Sequence, residues 1–401
     1  MKYIKKVLGG DLRQYTMVLA LVVLAVAFNI ISGGRMLTSS NMQNLLSGNA
    51  YVLVLALGML MVIVIGQIDL SVGSVAGFSG MVMAITARQF NLPWWVAVLI
   101  ALVIGVAAGS IHGFFLSKLG IPGFITTLGG MMIFRGGVIW ISRSISVPAP
   151  QELKWFGAGY LPEWGPKATG MNNSTLLLGL VIIAIFICMQ LKKYKSASSL
   201  ATEKEPLWPV VVRIILGTAI IGYFTWLFGS GREGTSFPIP GLILLILAVI
   251  YHTLTQHTSF GRHIYAVGGN KSAAALSGVN VSKTYFLTMV NMSFLAAVAG
   301  ILFVGRSTAA GPADGTSWEM DAIASVFIGG ASVAGGVGTI FATMVGGLVM
   351  AVLNNGLMLM GVGADRTQVI KGIVLLVAVA FDVYSKKGSS GFGFKKHSKK
   401  D

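Results

Sequence analysis

The stretch GQIDLSVGSVAG, Gly66 to Gly77, sets one carboxylate, Asp69, inside some of the most apolar sequence of the chain. Tyr51 to Ile65 before it is an unbroken run of apolar or small residues, and a second apolar run follows. A carboxylate at the centre of a bilayer helix costs about 2.5–3.5 kcal/mol, so Asp69 needs a position or a partner that removes this cost. Gly66 and Gly73 bracket it and mark a join between two spans. There Asp69 is expected to cap a helix beginning near Leu70, accepting from the backbone N–H of Ser71 or Val72. The competing role is a direct part in a solute path or gate. The two overlap, because a broken helix is tolerated at membrane depth only when buried in protein or lining a cavity.

Composition agrees with a membrane setting. The 401 residues are 55% hydrophobic and only 10% charged, with mean hydropathy +0.80, against roughly 25% charged in a soluble domain. The 29 Lys and Arg against 13 Asp and Glu give a net charge of +16, but the basic residues fall in loops between apolar spans. That is the pattern of positive-inside topology and not of nucleic-acid binding. The single cysteine, Cys188, lies in an apolar run and has no intramolecular partner.

With about 20 residues per crossing, twelve spans are expected, at 15–32, 49–66, 71–87, 94–117, 122–141, 174–191, 209–228, 239–256, 284–305, 320–337, 338–360 and 367–384. The third is interrupted by glycines, and only Gly335–Gly338 separates the tenth from the eleventh. Placing both termini in the cytoplasm puts 18 basic residues in inside segments and 8 in outside loops, with Arg135, Arg213 and Lys371 within spans. Trp94, Trp95, Trp140, Trp226 and Trp318 then sit near outside helix ends, where amphipathic rings prefer to lie. The fold expected is an all-α polytopic membrane protein, one transmembrane domain over 1–401, with a basic tail at 385–401. It leaves no room for a nucleotide-binding domain and contains no GxxxxGK[ST] phosphate loop.

GRHIYAVGGNKSAAALSGVNVSK, Gly261 to Lys283, is too polar to span. Asn270 or Ser272 can cap a short helix, Ala273 to Leu276 favours one, and Gly278 can end it, with Gly268–Gly269 giving a tight entry. Together GQIDLSVGS, GRHIYAVGGNKSAAALSGVN and the glycine-rich run GGVGTIFATMVGGLVMAVLNNGLMLMGV resemble the permease subunit of bacterial ABC importers for monosaccharides, the ribose/xylose/multiple-sugar branch. The resemblance implies that the loop at 257–283 couples to a cytoplasmic ATPase, through Gly261, Arg262, Gly268, Gly269, Asn270, Ala273, Ala274, Ser277 and Gly278. It further implies a helix pair, about 174–236, inserted into a ten-helix core, as in the longer members allied to xylose and multiple-sugar systems. The partners implied are a second permease copy, the ATPase, an external sugar-binding protein and the bilayer. No cofactor is expected in this chain itself, because ATP and Mg belong to the ATPase. The location implied is the bacterial cytoplasmic membrane, and the cargo a pentose or hexose such as xylose, arabinose or galactose.

The candidate path or gate residues are Asp69, Ser71, Gly73, Arg135, Asn354 and Asn355. Adjacent amides on a helix point about 100° apart, so one of Asn354 and Asn355 can face the path while the other bonds a neighbouring helix. Arg135 and His112 lie within spans, each able to line a wet cavity, with snorkelling or a carboxylate partner the alternative for Arg135. Gly105, Gly109 and Gly113 repeat on one helix face and permit close packing. Asp314, Glu319 and Asp321 surround the outside start of the tenth span, as caps or as contacts for a binding protein. A stand-alone secondary transporter or channel is the second function, and it calls for paired intramembrane carboxylates. On the expected spans only Asp69 and Asp382 lie near apolar segments. A membrane enzyme is third, with no HExxH and no evident Ser/His/Asp set.

Overall fold

The computed structural model describes residues 12–166, 169–200 and 207–390. The amino-terminal arm, Lys204 and most of the basic tail lie outside the described residues. Fifteen α-helices are present among the described residues: α1 Leu12–Ile31, α2 Ser39–Val64, α3 Val72–Gln89, α4 Trp94–Ser117, α5 Gly123–Ser142, α6 Lys154–Ala158, α7 Asn173–Leu200, α8 Trp208–Gly229, α9 Ile239–His257, α10 Ser259–Gly269, α11 Lys271–Leu276, α12 Val281–Ser307, α13 Trp318–Ile328, α14 Ile340–Leu359 and α15 Ala364–Ser390. A two-residue antiparallel pairing, β1 Val147–Pro148 with β2 Ala309–Ala310, ties the α5–α6 connection to the end of α12. Eight helices, α2, α4, α5, α7, α8, α9, α12 and α14, are long and apolar enough to cross a membrane.

The uniform apolarity of Tyr51–Ile65 reflects burial inside protein rather than contact with lipid. Helix α2 is central, and Val52 to Ile65 is buried on every side; a helix that is apolar all round sits in a core or a bilayer. At 26 residues it runs about 39 Å, longer than the ~30 Å hydrocarbon layer. Lipid holds no hydrophobic drive between helices, so close packing by small residues has to supply the association. Gly105, Gly109 and Gly113 of α4 do this against α12, where their faces meet Ser293, Ala297, Val290, Met289 and Phe286. Gly80 of α3 lies against Val304, and Gly300 of α12 against the backbone of Ala76.

Two expected spans differ. The third is a continuous helix, Val72–Gln89, because Gly73, Gly77 and Gly80 face close neighbours and do not break it. The tenth, expected over 320–337, is helical only to Ile328. Residues 329–339 turn back through glycines at positive φ, Gly330, Gly335 and Gly336, where a side chain would be strained. Before this half-helix the chain dips inward over 309–316, flanked by Thr308 and Ser317, both in the left-handed region at φ 59° and 64°. Trp318 is consequently buried with Tyr51 and Phe303, ring centroids 4.4 and 4.5 Å away, and is no belt residue. Trp95, Trp140 and Trp226 are exposed.

Helices α7 and α8 form a hairpin packed on itself, Gly179 against Thr225 and Gly217 against Phe186. It meets the body through polar and aromatic contacts. Gln43 Nε2 of α2 donates to Phe228 O at 2.9 Å, and Ser39 meets Ser230 at 3.3 Å. Phe237 N–H donates to Thr175 Oγ1 at 3.1 Å, and Phe228 stands edge-on to Phe237 at 5.1 Å.

The α4–α12 seam makes a stability prediction. A Cβ at Gly109 would lie 2.6 Å from Val290 Cα, so Gly109→Ala forces the helices apart and costs about 1–3 kcal/mol. Gly222 of α8 has open space around it, so Gly222→Ala is neutral or gains up to ~1 kcal/mol of helix propensity. Thermal unfolding of the purified variants checks the contrast.

Candidate functional site

The break between α2 and α3 is the polar centre of the molecule. Residues 65–71 leave the helical path at one end of the molecule. Gly66 and Ile68 are exposed there, while Ile65, Asp69 and Ser71 are buried, so the inward-facing polar groups must find internal partners. The first turn of α5 supplies several. Leu70 N–H donates to Thr127 Oγ1 at 3.1 Å, and the same hydroxyl donates to Ile68 O at 3.4 Å. In return Gly123 N–H, an orphan donor at the start of α5, donates to Gln67 Oε1 at 2.9 Å. Asp69 is fully buried. Its Oδ1 accepts from Ser71 N–H at 2.8 Å and from Ser71 Oγ–H at 2.6 Å. The helix begins at Val72 and not near Leu70, so Asp69 closes an Asx turn before the helix, and Ser71 occupies the cap position without a capping side-chain bond. Ser71 Oγ also faces His112 Nδ1 at 3.4 Å.

One turn further along α3, Gly73 and Gly77 press on the dipping segment. A Cβ on Gly73 would collide with Gly315 O, and one on Gly77 with Asp314 O. Gly315, at φ +84°, faces Gly73 O in return, so neither Gly73 nor Gly315 accommodates a side chain here. Arg135 of α5 holds this segment from the other side, Nη1 donating to Asp314 O at 3.1 Å and Ala313 O at 3.4 Å. Its hydrogen-bond partners are thus backbone carbonyls and not a carboxylate, one of the alternatives the sequence left open. Asp69, Ser71, Gly73 and Arg135 therefore converge around the start of α3. Asn354 and Asn355 do not join them. Asn355 exchanges both amide bonds with Asn41 of α2, at 2.8 and 3.1 Å, while Asn354 is half-buried beside it.

The acids correct a sequence expectation. Glu319 and Asp321 stand in the first turn of α13 as expected, but both are buried. Glu319 lies against Gly73, and Asp321 takes both oxygens to Lys371 Nζ of α15, at 2.7 and 3.0 Å. The interior therefore holds Asp69, Glu319 and Asp321, more than a span count placed there. Missing this followed from reading 320–337 as one regular span with an exposed start.

On the opposite side of the α2 terminus lies the surface platform. Thr258 caps α10 through Gly261 N–H at 3.2 Å, and Asn270 caps α11 through Ala273 N–H at 2.9 Å; Gly278, φ +84°, ends it. Ile264 and Val267 bury one face of α10, which the sequence reading left as a tight entry rather than a helix. Gly268 abuts Val64 O, and Gly336 N–H donates to that same carbonyl at 2.8 Å. Tyr265 Oη donates to Gly338 O at 2.7 Å, and burial pushes its phenol above the ordinary range, so it stays a donor. Arg262, Gly269, Asn270, Ala273, Ser277 and Gly278 face outward, whereas Gly261 and Ala274 are buried. Leu276, not singled out from sequence, is 91% exposed at the tip. An exposed leucine on a polar surface turn was the available signal.

Asp69→Leu strands the Ser71 N–H and hydroxyl at about 1–3 kcal/mol each and should abolish folded yield, measured by fluorescence-detected size exclusion. Asp69→Asn, whose Oδ1 keeps both acceptor contacts, should retain most of it. For the amide pair, Asn41→Leu and Asn355→Leu singly should each cost about 1 kcal/mol, and the double variant less than the sum.

Comparison with known proteins places this geometry. A family model described as the permease component of a branched-chain amino acid transport system matches residues 41–379. The xylose transport system permease protein XylH of Haemophilus influenzae is 34% identical over 383 residues, 95% of this chain and 99% of that protein. XylH of Escherichia coli K12 is 34% identical over 380 residues, 94% of each chain. The ribose import permease protein RbsC of Escherichia coli K12 is 31% identical over 373 residues, 92% of this chain and 94% of that protein. No solved structure matches. The chain belongs to this family of transport-system permease components, and it is a multi-pass membrane transport subunit rather than an enzyme.

Proposed function

We propose that this chain is the membrane-spanning permease of an ATP-driven importer in the bacterial inner membrane, passing a monosaccharide from an external binding protein to the cytoplasm. The observation that carries the reading is the platform α10–α11. It presents Ala273, Leu276 and Ser277 outward while Gly268 and Tyr265 lock it to the end of α2 and to the 335–338 turn. A solvent-facing leucine held on a rigid support suits a pocket on a partner, and a separate ATPase carrying ATP and Mg is the partner required. Its docking would push directly on the broken junction. Relatives that act on xylose and ribose make a pentose the first choice of cargo.

The proposed topology has twelve crossings with both termini cytoplasmic, built on the eight apolar spans among the described residues. The α2–α3 break, the α4–α5 turn, the platform and the 335–338 turn gather at one end of the molecule. The β1–β2 pairing and α6 lie at the other. The self-packed hairpin α7–α8 is consistent with an insertion into a ten-helix core. A homodimer is supported by α5, whose Met132, Ile133 and Trp140 are exposed and whose Gly129 and Gly136 have open space beside them. A stand-alone transporter would need carboxylates free to couple an ion, and Asp69 and Glu319 are the buried candidates. Yet Asp69 is spent on Ser71 within its own turn, as a structural carboxylate is.

Leu276→Ser should leave membrane abundance unchanged and reduce copurification of the ATPase at least about tenfold, as expected on losing a buried apolar anchor. Ala273→Arg should act likewise. Undiminished copurification in both variants would remove the platform from the docking role.

A further inference from the structure

We propose that the cavity between α13, α14 and α15 is a solute-binding site, and that it takes one neutral polyhydroxyl molecule the size of a monosaccharide. The cavity measures about 190 Å³, room for about six waters. Ser317 and Asp321 line it at the start of α13, Met350 from α14, and Gln368, Lys371 and Leu375 from α15. Met350 lies midway along α14, a helix long and apolar enough to cross a membrane, so the cavity sits well inside the span. Its α13 wall begins within the protein, after the inward dip at 309–316. Interrupted helices are tolerated at membrane depth where they are buried in protein or line a cavity, and solute sites form beside them.

Two opposite charges stand side by side in the cavity wall. Lys371 Nζ donates to both oxygens of Asp321, at 2.7 and 3.0 Å, and the two side chains are only 17% and 11% exposed. Each keeps capacity beyond the pair, the ammonium at least one N–H and the carboxylate free lone pairs. Ser317 Oγ and the Gln368 amide line the same space, and neither has a hydrogen-bond partner among the described residues. The four groups together donate and accept, and they carry no net charge. An anionic solute would meet Asp321 and a cationic one Lys371, whereas hydroxyls can bond to both. Met350 and Leu375 supply carbon surface that suits the C–H face of a sugar ring. A buried ion pair is weak support for stability, since apolar residues of like volume pack as well. Inside a membrane span, such a pair marks a solute path.

That the solute is a monosaccharide rests on the transport proposal; the cavity, the ion pair and the free polar groups stand without it. Equilibrium binding of radiolabelled xylose and ribose to the full-length permease in lipid nanodiscs tests the site without ATPase or binding protein. Saturable binding of at least one sugar is expected. Gln368→Leu and Ser317→Ala leave the ion pair in place and each remove one free polar group, so each should weaken binding about three- to tenfold. Gln368 is exposed, so its replacement does not put folding at stake. Gly222→Ala, far along the chain on α8 with open space around it, should bind as the wild type does. Xylonate, which adds a carboxylate to the same carbon chain, should compete at least about tenfold more weakly than xylose. Three results overturn the inference: no saturable binding of either sugar, binding unchanged in both cavity variants, or equal competition by xylonate. Each of them leaves the transport proposal standing, because ATP-dependent uptake tests that separately.

Discussion

A chain that stops being helical inside a membrane protein leaves N–H and C=O groups with nowhere to go, and the break at 65–71 is organised around that constraint. Asp69 accepts from Ser71 twice, and the first turn of α5 trades Thr127 and Gly123 for Leu70 and Gln67. The apolar central helix α2 can thus end beside the buried Asp69 with its neighbouring polar groups partnered. Its last carbonyl, Val64 O, then anchors the 335–338 turn and lies against the platform helix α10. The carboxylate, the α5 first turn and the surface platform form one connected set of contacts.

That connection gives the functional reading a physical route. A partner pressing on α11 meets a platform joined by Gly268, Gly336 and Tyr265 to α2 and to the turn between α13 and α14. On the far side of the break, Gly73 and Gly77 pass displacement of α3 to the segment 311–317, which Arg135 holds by backbone carbonyls. Contacts of backbone against glycine deform little, so they transmit rigid-body shifts where flexible side chains would absorb them.

Much of this could be read from residues. The glycine stripe on α4, the Asn270 cap, the Gly278 stop and the amide bonding of one member of Asn354–Asn355 follow from local rules. The half-helix α13 was not legible, because its sequence is apolar enough to continue to 337. What ends it is the packing of Gly335 and Gly336 onto Val64 and Gly268, a contact between segments about 270 and 70 residues apart in sequence that no local rule reports. The burial of Glu319 against Gly73 and of Asp321 on Lys371 was hidden for a like reason, since both partners are distant in sequence. Asp69 was legible as an acceptor for the Ser71 N–H, a local contact, but the approach of His112 of α4 to Ser71 needed two distant segments to be brought together. At its start the problem was a stranded acid between two greasy segments, and the fold makes it the acceptor that closes the break.

The central claim is that this break serves ATP-driven passage of a sugar. Uptake of radiolabelled xylose and ribose into proteoliposomes holding the chain with its cognate ATPase and binding protein tests it most directly. Accumulation of one sugar that requires ATP, the ATPase and the binding protein together is the predicted result. Equal accumulation by the chain alone, or driven by an ion gradient without ATP, would contradict the account.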